Sequence, residues 1–178
     1  ARTLSGGATI GAEIQVSLSI PSLGKPPKIL CPGLPKGNIV QLLQSLERHQ
    51  DLEFPISYFN TDIQLFSDSP FHRTMHFPIA VGALASLNQM EIPSNAYFVG
   101  EMDLNQRLRE LPLAIRNAVA DSLQNLEFGS PTTLVCPAAD AMAFREIAGD
   151  TQILGFASFL EFVDLVKNSK ERFLRQAA

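Results

Sequence analysis

Residues 67–90 read SDSPFHRTMHFPIAVGALASLNQM, and the second half of this stretch decides the fold. Phe77, Ile79, Ala80, Val81, Ala83, Leu84, Leu87 and Met90 leave almost no polar face on a helix. A helix that is apolar nearly all round has to be covered by other elements. Ala80, Gly82, Ala83 and Ala85 keep it thin, so neighbours can approach closely. Pro78 suits the first turn, where its missing N–H would have had no helical partner. The spacing predicts a helix from about His76 to Asn88. His72, Arg73, Thr74 and His76 make its entrance polar, and a polar entrance to a buried helix is a place to look for chemistry.

Outward from this helix, two hydrophobic periods alternate. Ile14, Val16, Leu18 and Ile20 interleave with polar residues, which predicts a half-buried strand. A turn region from Pro21 to Pro27 precedes a short strand at Lys28–Cys31. A helix is expected from Gly37 or Asn38 to about Gln50, with Asn38 as its cap and Ile39, Val40, Leu42, Leu43 and Leu46 inward. Ile56, Ile63, Leu65 and Phe66 offer one or two strands. Beyond the central helix, a strand is expected at Tyr97–Met102 and a bend or hairpin at Leu104, Leu108 and Leu111. A helix is expected from Pro112 to Leu126, with Leu113, Ile115, Ala118, Val119 and Leu123 inward. Further elements are a strand at Thr132–Cys136, a helical turn at Ala138–Ile147 and a strand at Gln152–Phe156. The last is an amphipathic helix from Phe159 to Arg175, with Phe159, Leu160, Phe162, Val163, Val166 and Phe173 inward. The class is mixed α/β (α+β), a mixed sheet packed with helices.

The chain has 178 residues, enough for one domain with a real core. Apolar residues make up 46% and charged residues 18%, so disorder is not expected. A net charge of −4 gives no overall basic field for unspecific grip on nucleic acid or anionic membrane. No apolar run has the length of a membrane span, and no signal peptide opens the chain. Cys31 and Cys136 make no disulfide framework and read as buried thiols of a reducing compartment, so a cytoplasmic setting is expected.

Several side-chain groups invite a chemical reading. His72 or His76 invites pairing with Ser67, Ser69 or Thr74 in a nucleophilic arrangement, but no third orienting group is evident. The bland alternative is a polar loop that satisfies backbone groups at a helix start. His49, His72 and His76, with Asp68 nearby, lack a metal-ligand spacing. Gly33-Leu34-Pro35-Lys36-Gly37 precedes a helix and invites an anion, yet its proline removes a donor, and a shaped turn is the simpler reading. Arg107, Arg109 and Arg116 form the concentrated basic patch, cut by Glu101, Asp103 and Glu110. Lys167, Lys170, Arg172 and Arg175 form a second basic edge, read as a helix end complementing its dipole. No metal or cofactor is expected in this chain.

Four motifs in order resemble the Lon-protease-type domain of ComM-type, magnesium-chelatase-like AAA+ proteins. They are Gly11–Pro55 with its Gly33-Leu34-Pro35 turn, HFPIAVGALASL at 76–87, Phe98-Val99-Gly100-Glu101 with Arg107-Leu108-Arg109, and LVCPAADA followed by ILGFASFLEFV. The last three are also similar to Lon itself and to the C-terminal domain of RadA-type repair ATPases. The resemblance covers nearly the whole chain and implies a single Lon-like domain over 1–178, related to the ribosomal protein S5 domain 2-like fold. It departs from the family at His76, where an acid is usual, and at Glu110, where a proline is usual.

What the resemblance implies for chemistry is mostly negative. Lon uses a serine before the central helix and a lysine at the start of the next. Those positions fall here at Met75 or His76 and at Ile115 or Arg116. No lysine occurs between Lys36 and Lys167, and arginine stays protonated, so it cannot serve as the base. The Ser-Lys dyad is absent, and no AAA+ ATPase module is present. The expected function is a non-catalytic domain supporting assembly or substrate contacts in DNA processing during natural transformation or recombination. Expected partners are further copies of itself, an AAA+ module in cis or in trans, and DNA through Arg107, Arg109 and Arg116; no membrane partner is expected. The alternatives are a hydrolase with a rewired site near His72–His76 and a stand-alone protein-interaction module.

Overall fold

The structure, a computed structural model, describes residues 2–3, 12–49, 52, 54–66, 71–125 and 132–168. Ser67, Asp68, Ser69, Lys170, Arg172, Phe173 and Arg175, singled out above, lie outside the described residues. In chain order the strands are β1 (Arg2–Thr3), β2 (Ala12–Ser19), β3 (Ile29–Leu30), β4 (Asn60–Phe66), β5 (Ala96–Phe98), β6 (Glu101–Met102), β7 (Leu108–Arg109), β8 (Thr133–Pro137) and β9 (Gln152–Phe156). The helices are α1 (Lys36–His49), α2 (His76–Leu87), α3 (Leu113–Asn125), α4 (Ala138–Arg145) and α5 (Phe159–Asn168). The mixed α/β class is what these elements form.

One sheet has the order β3-β4-β2-β1-β5-β8-β9, and β6-β7 form a separate hairpin. β2 pairs antiparallel with β4, Val16 opposite Ile63, and β5, β8 and β9 are parallel. β1 joins the two halves, antiparallel to β2 and parallel to β5. The halves are covered differently. On β2, Gln15 and Ser17 are exposed while Ile14 is buried and Val16 and Leu18 are half-buried, as expected for a strand with one wet face. All five residues of β8 are buried because helices cover both of its faces: Val135 enters one core, Leu134 and Cys136 the other.

The central helix sits where its composition requires. Nine consecutive residues of α2, Phe77 to Ala85, are buried. Gly82 faces β2, and a Cβ there would come within 2.8 Å of Val16 Cγ2. Phe77 meets Phe98, Phe159 and Phe162 edge-on, with ring centroids 5.6–6.1 Å apart. That geometry brings ring edges to ring faces and adds to the burial of each ring. On the opposite core, Gly155 of β9 lets α4 approach: a Cβ there would stand 2.6 Å from Ala141 Cβ.

Some expectations need correction. The strand expected at Tyr97–Met102 breaks after Phe98: Val99 N–H makes the last bond to β8, at Val135 O, and Gly100 N–H turns away to Thr74 O. α1 begins at Lys36, so Asn38 lies in its first turn and donates its N–H to Pro35 O, rather than capping. Ala138–Arg145 is a full helix. Leu113 and Leu160 are exposed, not inward. At 100° per residue, Leu113 falls well off the Val119–Leu123 stripe, and Leu160 off the Phe159–Phe162–Val163–Val166 stripe. Cys136 is buried as expected, but Cys31 is half-buried; both are free.

Candidate functional site

The entrance to α2 opens on a cleft of about 350 Å³. α1 contributes Asn38 and Gln41, the turn before α2 contributes Arg73, and α2 begins with His76. The β6–β7 hairpin supplies Glu101, Asp103, Asn105 and Arg109 from the other side. Local bonds hold these pieces in place. His72 closes the 3-10 turn Arg73–Met75: its Nδ1 accepts the Thr74 N–H at 3.3 Å and lies 3.1 Å from the Thr74 hydroxyl. Gly100 N–H donates to Thr74 O, and Phe77 N–H donates to Gly100 O. The turn, the start of α2 and the approach to β6 are thus one hydrogen-bonded unit.

The hairpin is anchored by a residue with no conspicuous sequence signal. Gln106 is 2% exposed, holds a left-handed φ of 61°, and donates its side-chain N–H to Ser45 O of α1 at 2.9 Å. Asp103 shapes the same turn, with Oδ1 accepting the N–H groups of Asn105 and Arg107. The nearest sequence signal was the Asp-Leu-Asn run at 103–105, typical of turns.

His76 is the chemically unusual group. Both ring nitrogens are shielded from solvent and lack an aligned hydrogen-bond partner among the described residues. The ring packs on Phe71, centroids 5.7 Å apart. Burial pushes its pKa below the ordinary 6.5, against the opposing pull of the Met102 backbone and Glu101; Arg73 and His72 add to the lowering. A neutral imidazole can accept and donate one hydrogen bond each. No nucleophile is described beside it: the Thr74 hydroxyl is buried against His72. Met75 is 1% exposed and sits in the core. Among the described residues, no cluster of three or more histidine, cysteine or acidic side chains is placed to hold a metal ion.

Of the three arginines expected to reach a partner, Arg109 and Arg116 are engaged with acids, as is Arg73 at the cleft. Arg73 faces Glu101 at 3.6 Å and Arg109 faces Asp103 at 3.6 Å. Arg116 is away from the cleft, on α3. It hydrogen-bonds Glu110, and its Nε lies 2.7 Å from Asp140 Oδ1, an ion pair whose N–H is not aligned on the oxygen. Asp140, in the first turn of α4, is 0% exposed, and its Oδ2 accepts the Leu111 N–H at 2.9 Å. Burial pushes this carboxyl up, while the Leu111 N–H and Arg116 pull it down. Arg107 is exposed on the hairpin. His76 and Arg116 therefore belong to different surroundings.

No helix among the described residues is long and apolar enough to cross a membrane. No family model matches this sequence, and no curated protein matches it.

Proposed function

We propose that the chain is a non-catalytic Lon-like domain of the ComM-type AAA+ class, acting through assembly contacts in DNA processing. The supporting observation is an apolar end of the sheet. The pairing of Ser19 with Asn60 puts Ile20 beside the chain leaving Tyr58, and the parallel pairing of β3 with β4 brings the 20–28 loop to the same end. Ile20 is 83% and Leu23 fully exposed there, with Tyr58 and Leu30 also open to solvent. Exposed apolar side chains gathered at one place mark a contact surface. The ion pairs of Arg109 and Arg116 weigh against direct grip on DNA by the basic patch.

Light scattering over a range of concentrations tests the reading. Self-association is expected, and Ile20→Glu with Leu23→Glu should abolish it while leaving the melting temperature unchanged. A strict monomer at high concentration overturns the assembly role. DNA binding at low salt that disappears in Arg107→Ala with Arg109→Ala would favour direct contact instead. Casein or ester hydrolysis that disappears in His76→Ala would make the domain an enzyme.

A further inference from the structure

The loop from Ile20 to Lys28, IPSLGKPPK, is held in one shape. Lys25 N–H donates to Ser22 O at 2.9 Å and Gly24 takes a φ of 76°, the pattern of a type II turn with glycine at its left-handed position. Leu23 stands at the apex of that turn, and Pro21, Pro26 and Pro27 restrict the chain on both sides. Lys25 and Lys28 are exposed beside it, and the loop contains no acid. A stiff loop has little freedom to lose on docking. The outer face of α5 has the opposite charge. Phe159, Phe162, Val163 and Val166 enter the core, and at 100° per residue Leu160, Glu161, Asp164 and Leu165 fall on the other side, all four exposed. Glu161 accepts the Ala157 N–H, which leaves its charge unmatched by a cation. Among the described residues, no ion pair engages Lys25, Lys28, Glu161 or Asp164.

We propose that the 20–28 loop of one copy docks on the outer face of α5 of a second copy, Leu23 against Leu160 and Leu165, and Lys25 and Lys28 against Glu161 and Asp164. Both surfaces join exposed leucine to charge, and the charges are opposite. Within one molecule they cannot meet. The loop leads to β3, the edge strand on one side, whereas α5 follows β9, the edge strand on the other, and packs on it through Phe156 and Phe162. Roughly 20–30 Å of sheet separates them. Loop against loop would set lysine beside lysine, which opposes a two-fold contact through this end. Each copy offers one surface of each kind, so the contact is head-to-tail and passes from copy to copy. A loop of this size makes a weak contact singly, and the association grows with concentration. The inference rests on the proposed assembly role and names the two surfaces that would perform it.

The test compares the unaltered chain with a loop variant, Leu23→Ser with Lys25→Ser, and a face variant, Leu160→Gln with Asp164→Asn. All four positions are exposed, so the melting temperatures should agree closely. In sedimentation, the unaltered chain should grow past a dimer as its concentration rises. Either variant alone should self-associate at least about tenfold more weakly. An equal mixture of the two should form a species of twice the monomer mass and nothing larger, because one intact loop then meets one intact face. A face variant that assembles like the unaltered chain overturns the pairing with α5 while leaving the assembly role in place. So does a mixture no larger than its separate components, or an unaltered chain that stops at a dimer. An unaltered chain that stays monomeric overturns the assembly role and this pairing together.

Discussion

Arg116 Nε stands 2.7 Å from Oδ1 of Asp140, a carboxylate with no exposed surface, so the third basic residue of the hairpin–helix stretch holds α3 to α4. Removing one partner of such a pair strands the other charge. Arg116→Met should destabilise the fold by about 2–3 kcal/mol, below the range for fully buried pairs because the arginine is partly solvated. Arg116→Met combined with Asp140→Leu should lose less than the sum of the two single changes. Urea unfolding of the four proteins measures the coupling; simple additivity would show that the pair does not act as a unit.

The close approach of α2 to β2 is tested at Gly82. Alanine there gains helix propensity of about 1 kcal/mol. Its methyl would nonetheless sit 2.8 Å from Val16 Cγ2, and Val16 has no long flexible end to move. Gly82→Ala should destabilise by about 1–2 kcal/mol net. Val16→Ala in the same chain should restore much of the loss. A more stable Gly82→Ala single variant would mean that α2 and β2 separate more readily than their packing implies.

Phe77 is 0% exposed at the junction of three edge-on ring contacts. Phe77→Ala should cost about 3–5 kcal/mol, and Phe77→Leu less, because leucine refills part of the cavity. Thermal melts of both variants give the order; equal losses would point to the ring contacts rather than the volume.

The lowered pKa of His76 predicts a pH dependence of stability. The unfolded chain binds the proton more tightly than the folded one, so the stability from the neutral imidazole is full above pH 6.5 and is lost as pH falls through the lower folded value. His76→Phe removes that proton uptake. Its stability should fall less than that of the parent between about pH 7 and pH 5. Parallel curves for the two proteins would show that His76 titrates alike folded and unfolded.

Thiol chemistry separates the two cysteines. Burial pushes Cys136 up to about 12, and it also raises the half-buried Cys31. Because the thiolate is the reactive form, a thiol reagent at mildly alkaline pH should modify Cys31 first and reach Cys136 only on unfolding. Mass mapping of the labelled peptides gives the order.

The elements legible in the sequence are those governed by their own side chains. α2 is apolar all round and had only one place to go; β2 alternates and shows one wet face; α1 and α5 carry their stripes. What escaped depends on partners distant in sequence. Arg116 reads as an exposed cation until Asp140, on another helix, is placed beside it. Gln106 reads as an ordinary polar residue until its amide reaches Ser45. His72 could be read as a ligand or base, yet it caps a turn two residues away. β1 is too short for periodicity to reveal, because its place comes from the ladders on either side.

That short strand has a mechanical consequence. Among the described residues, the half of the sheet built on β2 and β4 and the parallel half share a backbone seam only two residues deep, at Arg2 and Thr3. β2 and β4 are joined by seven pairs and β5 and β8 by three, so a load that pulls the two halves apart would part the sheet at this seam before it parts either of those ladders. The helices packed over that seam, α2 above all, then act as the splint that keeps the two halves in one plane.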